Sequence, residues 1–138
     1  MLAGTGKMKY RAGYKYQLEE DHLCLIGIKR AVDTSFIHLN DKGDLLIERG
    51  YAWDGPSGPT FDTRTFMRGS LVHDSLYQLM REGHLPTSCR EQADLELWRI
   101  CREDGMCWPR AWWVWKAVRW FGARRAKAGH TRPVYSAG

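Results

Sequence analysis

Hydrophobic and polar positions change their spacing partway along the chain. From Tyr14 to Tyr51 the apolar residues come in short runs of β-prone types. Leu23, Leu25, Ile26 and Ile28 form one group, interrupted at Gly27. Phe36-Ile37-His38-Leu39 and Leu45-Leu46-Ile47 flank Asn40-Asp41-Lys42-Gly43-Asp44, a cluster of turn formers between two strand-like runs. That layout predicts a β-hairpin. Residues 1–13, Gly-rich and polar, read as a loose arm.

From Tyr51 the sequence reads Tyr-Ala-Trp-Asp-Gly-Pro-Ser-Gly-Pro-Thr-Phe-Asp. Pro56 and Pro59 remove backbone donors, and Gly55 and Gly58 favour turns, so residues 52–62 are expected as a rigid, shaped loop. Beyond it the spacing becomes helical. A first helix is predicted from about Thr63 to Glu82, stopped by Gly83. A second starts at Ser88, where Ser88 and Glu91 fit a capping box, and ends near Asp104-Gly105. A third has Pro109 in its first turn and runs to about Gly122. The expected fold is therefore α+β: an N-terminal antiparallel hairpin or small sheet, a Gly/Pro loop, an antiparallel helix pair and a third, Trp-rich helix. A single globular domain over 14–128 would leave 129–138 as a basic tail.

On a helical wheel, Phe66, Ser70, His73, Tyr77 and Met80 share one face of the first helix, with Leu76 beside them. His73 thus lies inside a stripe that should face the core. On the second helix Asp94, Leu97, Trp98 and Cys101 fall at i, i+3, i+4 and i+7, an apolar stripe holding a carboxylate. A buried carboxylate needs a partner. The short connection from Gly83 to Thr87 favours antiparallel helices, which lets His73 face Asp94. A carboxylate on one ring nitrogen fixes the imidazole tautomer and frees the other nitrogen as a base. The same pair also suits a satisfied core contact with no chemistry.

Charge changes the picture at one end only. The chain of 138 residues carries a formal net charge of +5. Seven basic residues (Arg110, Lys116, Arg119, Arg124, Arg125, Lys127, Arg132) and no acidic one lie beyond Pro109, while the preceding residues hold 14 basic and 16 acidic residues, a net of −2, so the whole excess belongs to this end. Only this end could meet nucleic acid by charge. No apolar run approaches the ~18 residues needed to cross a bilayer. The first sixteen residues lack a signal-peptide core, so synthesis in a cytoplasm is expected. Cys24, Cys89, Cys101 and Cys107 form no C-x-x-C pair and are expected as buried thiols rather than zinc ligands.

His73-Asp74-Ser75-Leu76-Tyr77 is an H-D-x-x-Y helix motif, preceded by the Gly/Pro loop and followed by the later Asp94. This layout resembles the calcium-dependent secreted phospholipases of the A(2) class, including the version carried in parvovirus capsids. The resemblance covers about 45 residues. It implies that Asp74 and carbonyls of the loop (Tyr51, Trp53, Gly55, Gly58) hold calcium, that His73 activates water, that Asp94 orients His73, and that Tyr77 bonds to Asp94. Ser70, Leu71 and Leu76 stand where the phospholipases place cysteines near this motif, and the loop has prolines where theirs has more glycine. The longer phrase from Tyr51 through Thr60, followed by Met67-Arg68-x-Ser70-x-x-His73-Asp74-x-Leu76-Tyr77, looks like a family of small tailed-phage and prophage proteins of unknown function. That similarity implies a viral origin, with synthesis in a host cytoplasm.

Five of the seven tryptophans fall between Trp108 and Trp120. Apolar residues wrap nearly all round this helix, which implies burial against the body, a partner or a lipid interface. Trp108, Trp112, Trp113, Trp115 and Trp120, with Arg119, Arg124 and Arg125, form the candidate partner or membrane surface. Two functional classes remain open from the sequence. One is a metal-assisted ester hydrolase acting on lipid. The other is a non-catalytic virion or assembly protein docking on neighbouring subunits or on copies of itself. A role in host lysis or entry is compatible with either.

Overall fold

The computed structural model describes residues 10–11, 16–53 and 63–122. Two antiparallel sheets precede three helices, the expected α+β arrangement. The smaller sheet has the order β1-β2-β7, formed by Tyr10–Arg11, Tyr16–Leu18 and Ala52–Trp53. The larger has the order β3-β6-β5-β4, formed by His22–Leu25, Asp44–Ile47, Ile37–Leu39 and Val32–Asp33.

The predicted hairpin is β5–β6, with Ile37 opposite Ile47 and Leu39 opposite Leu45. Its turn is fixed by Asn40, whose side-chain oxygen accepts from the Lys42 and Asp44 amides at 2.9 and 3.0 Å. Strand alternation turns Ile37, Leu39, Leu45 and Ile47 to the core and leaves His38 and Leu46 on the outer face.

Two boundaries differ from the sequence expectation. Tyr10–Arg11 pair with β2 inside the stretch expected as an arm. Ala52 and Trp53, expected to open the loop, instead pair with Gln17 and Tyr16. The reason at Trp53 is burial: its ring is 2% exposed and its indole N–H donates to Ser70 Oγ at 3.0 Å. The remainder of the expected loop, including Gly55 and Gly58, lies outside the described residues.

Helix α1 is Thr63–Arg81 and ends before Gly83, where φ is +82°. Helix α2 is Arg90–Glu103, and α3 is Trp108–Phe121 with Pro109 in its first turn. The Ser88 capping box does not form. Thr87–Cys89 make a 3-10 turn, closed by the Cys89 amide on the Pro86 carbonyl at 2.9 Å, and α2 follows it without a side-chain cap.

The core lies in two parts. Leu71, Val72, Leu76, Leu79 and Met80 of α1 pack with Cys24, Ile37, Leu39, Leu45 and Ile47 of the larger sheet. On the other side of α1, Phe66 meets Leu97 and Cys101 of α2 and Ala111 and Val114 of α3. Gly69 permits the close approach of α1 and α2, since a Cβ there would stand 2.9 Å from both Cys101 Sγ and Leu97 Cδ1. Arg68 is buried as well, held by Asp104 Oδ1 at 3.1 Å and Glu103 Oε1 at 2.8 Å at the end of α2.

The cysteine expectation is half right. Cys24 and Cys101 are buried, and burial pushes both thiols up to about 12. Cys89 is half-buried and Cys107 is exposed, because both sit at helix starts rather than in a core stripe.

Candidate functional site

The helical spacing of α1 places His73 and Tyr77 one turn apart, with ring centroids 4.1 Å from each other. Both point toward α2, whose stripe carries Asp94. His73 Nε2 lies 2.7 Å from Asp94 Oδ1, and the Tyr77 hydroxyl donates to the same oxygen at 2.6 Å. Asp94 is fully buried and His73 is 8% exposed. An ionised carboxylate only accepts, so the Nε2 proton belongs in this bond and Nδ1 is left as the basic nitrogen. Asp74 Oδ1 is the near carboxylate to Nδ1, at 3.9 Å, on a half-buried side chain.

The second oxygen of Asp94 faces two arginines. Arg119 Nη1, from α3, donates to Oδ2 at 2.9 Å. Arg90 Nη1, one turn before Asp94 on α2, lies 3.6 Å from it. Arg90 also donates to the Val118 carbonyl at 3.1 Å and the Arg119 carbonyl at 3.2 Å, binding the C-terminal end of α3. Asp94 thus joins all three helices. Gly122 completes the packing, for a Cβ there would lie 2.5 Å from the Tyr77 hydroxyl.

This environment sets the titrations. Burial disfavours the Asp94 carboxylate, yet the bonds from His73, Tyr77 and Arg119 outweigh it and hold the carboxyl below its usual range. Burial likewise disfavours a charged His73, but Asp74 and Asp94 together raise the imidazole above 6.5. Burial first, and then the Asp94 charge, push the Tyr77 hydroxyl up, so it stays a donor.

The sequence expectations for His73, Asp94 and Tyr77 meet here in one cluster. Arg119, expected on a partner surface, turns inward instead. The cause is the buried carboxylate, which draws the nearest cation of α3. Arg90 was not foreseen at all, although its place four residues before a stripe carboxylate is a readable signal. Trp108, Trp112, Trp113 and Trp120 are exposed, and Trp115 is half-buried. Arg124 and Arg125 lie outside the described residues.

Calcium takes six to eight oxygens. Of the expected ligands, Asp74 offers a half-buried carboxylate. The Tyr51 carbonyl already accepts from the Leu18 amide at 2.8 Å, while its hydroxyl donates to Gln78. Among the described residues no three His, Cys, Asp or Glu side chains group as a metal site. The expected ligands Gly55 and Gly58 lie outside the described residues.

Comparison with protein-family models, with curated proteins and with solved structures finds no match.

Proposed function

We propose that this chain is an ester hydrolase of phage or prophage origin in which His73 acts as general base on water. The observation that carries this reading is the pair of hydrogen bonds that Asp94 Oδ1 accepts, from His73 Nε2 and from the Tyr77 hydroxyl. It fixes His73 through Nε2 and leaves Nδ1 beside the half-buried Asp74. A water bonded to both Nδ1 and Asp74 would sit beside the line joining them.

His73 Nδ1 removes a proton from that water as its oxygen bonds to the ester carbonyl carbon. When the bond to the leaving alcohol breaks, the imidazolium returns the proton to the alkoxide. Asp94 balances the imidazolium, and its two arginines keep the carboxylate ionised through the cycle. The likeness of the H-D-x-x-Y layout to phospholipases of the A(2) class makes acyl esters of phospholipids the first substrates to try. In the same likeness Asp74 is a ligand of calcium, so the assay needs an arm with added calcium.

The test is hydrolysis of a fluorogenic phospholipid by the wild type, His73→Gln and Asp94→Asn, with and without calcium. His73→Gln should abolish turnover. Turnover should also fall as pH drops through the His73 pKa, which lies above 6.5, because the imidazolium cannot accept a proton. An inactive wild type under all conditions, or a His73→Gln protein of full activity, sinks the reading. In that case the His73–Asp94 pair is a strut in a non-catalytic protein, for example one assembled into the virion, and mass spectrometry of purified particles should then find the chain.

A further inference from the structure

Helix α3 is built the opposite way to a helix that packs by its large side chains. Ala111 and Val114 are its buried positions, with Val118 half-buried in line with them at i, i+3 and i+7. Four of the five tryptophans are exposed, and Trp115, beside the buried stripe, is half-buried. Trp108, Trp112, Lys116 and Trp120 follow one another at intervals of four, with Trp113 alongside. Trp108 and Trp113 are each 55% exposed, Trp112 42% and Trp120 67%. Single exposed apolar side chains are ordinary, but three indoles in a row with a fourth alongside are a patch.

Lys116 lies between two of these rings, with Nζ 5.5 Å from the Trp112 centroid and 5.2 Å from the Trp120 centroid. The row therefore presents indoles around a cation. From Arg110 onward the sequence has seven basic residues and no acidic one. On the face itself the cation is Lys116, Arg119 being engaged by Asp94, and the sequence that follows the helix adds Arg124, Arg125, Lys127 and Arg132 without an acidic residue. Charge of one sign at this end of the chain disfavours pairing it with a second copy of itself. It complements an anionic surface instead. Indoles beside a basic side chain suit the boundary between headgroups and acyl chains, where the ring is buried and the N–H stays wet. A nucleic-acid base would have to compete with Lys116 for the ring faces. A helix of 14 residues is about 21 Å long, short of a bilayer core, so it lies on a membrane rather than through it.

We infer that the Trp108–Trp112–Lys116–Trp120 row of α3 is a docking surface for an anionic phospholipid bilayer. This inference stands on the α3 face and does not depend on catalysis at His73. Arg119, on the flank of the same helix, reaches back to Asp94 at 2.9 Å, so a bilayer at this face would lie close to the buried cluster.

The experiment is sedimentation of the full chain with vesicles of phosphatidylcholine alone or mixed with phosphatidylglycerol, together with tryptophan emission. Vesicles containing phosphatidylglycerol should retain the protein, shift its emission to the blue and, with brominated acyl chains, quench it. Phosphatidylcholine vesicles should bind it far less, and added salt should weaken binding. Trp112→Ala with Trp120→Ala should remove the blue shift and most of the sedimentation. Lys116→Ala removes one surface cation and should weaken binding about fivefold; it keeps the test open if the double variant fails to fold. No retention by anionic vesicles at low salt overturns the inference. So does retention that both variants leave unchanged, self-association that the Trp variants abolish, or tighter binding to single-stranded DNA than to the vesicles. Loss of vesicle binding with His73-dependent hydrolysis of soluble esters intact would remove this inference alone, and the reverse outcome would remove only the catalytic reading.

Discussion

Helices α1 and α3 invert what their sequences promise. Helix α1 contains Arg68, His73, Asp74 and Arg81, yet from Thr65 to Met80 only Asp74 and Gln78 escape full burial. Helix α3 has just three charged residues, Arg110, Lys116 and Arg119, yet keeps a wide face in solvent. The difference lies in what each polar group finds. Arg68 meets Asp104 and Glu103, and His73 and Tyr77 meet Asp94, so α1 can be buried on all sides without orphaned charge. In α3 the small Ala111 and Val114 face the body, and four of its five indoles are left exposed.

If α1 is a buried helix held by polar pairing, the largest effect belongs to Asp94. Asp94→Ala leaves Arg119 and Arg90 facing each other's charge and strands the His73 and Tyr77 donors. Breaking one side of a buried ionic cluster costs about 3–5 kcal/mol. Urea denaturation of the variant against wild type measures it. A loss under about 1 kcal/mol would mean the cluster is wet and α1 is not held this way. Next comes apolar packing on the same helix. Leu76→Ala empties a fully buried position and should cost about 2–5 kcal/mol in the same assay.

Between the two helices stands Gly122, at the end of α3 against Tyr77. Gly122→Ala puts a methyl where the Tyr77 hydroxyl already is, and that hydroxyl is tied to Asp94. Overpacking of this kind costs about 1–3 kcal/mol. It should also change the Tyr77 environment in near-ultraviolet circular dichroism. An unaltered spectrum and unaltered stability would show that α3 is docked loosely on the site.

Much of this was legible in the chain. The β5–β6 hairpin followed from its turn formers, and the meeting of His73, Tyr77 and Asp94 followed from helical spacing, because each is a polar group inside an apolar stripe. Helix α1 was legible in extent but not in depth. A wheel shows one apolar face, and it cannot show that the polar residues of the other face have partners on α2. Arg119 was illegible for the same reason. Its role depends on where α3 docks, and an arginine among tryptophans looks like a surface cation until a buried carboxylate is seen within reach. Ser88 failed as a cap because Pro86 directs the chain into a 3-10 turn first, a local competition that the capping pattern does not register.

The smallest effect is the one that most sharpens the contrast. Trp113 carries the largest kind of side chain, and in a core its truncation would cost about 3–5 kcal/mol. At 55% exposure its ring gives up little packing when removed. Trp113→Ala should therefore change unfolding stability by no more than about 0.5 kcal/mol, the range of surface substitutions. The comparison with Leu76→Ala is the decisive one, because leucine is the smaller side chain and is expected to show the larger loss. If Trp113→Ala proves as costly as Leu76→Ala, the indole row is part of the folded core and α3 is no exposed face. If it is neutral, the Trp113 indole is not there for the stability of the fold, and its place on α3 calls for a role at the surface.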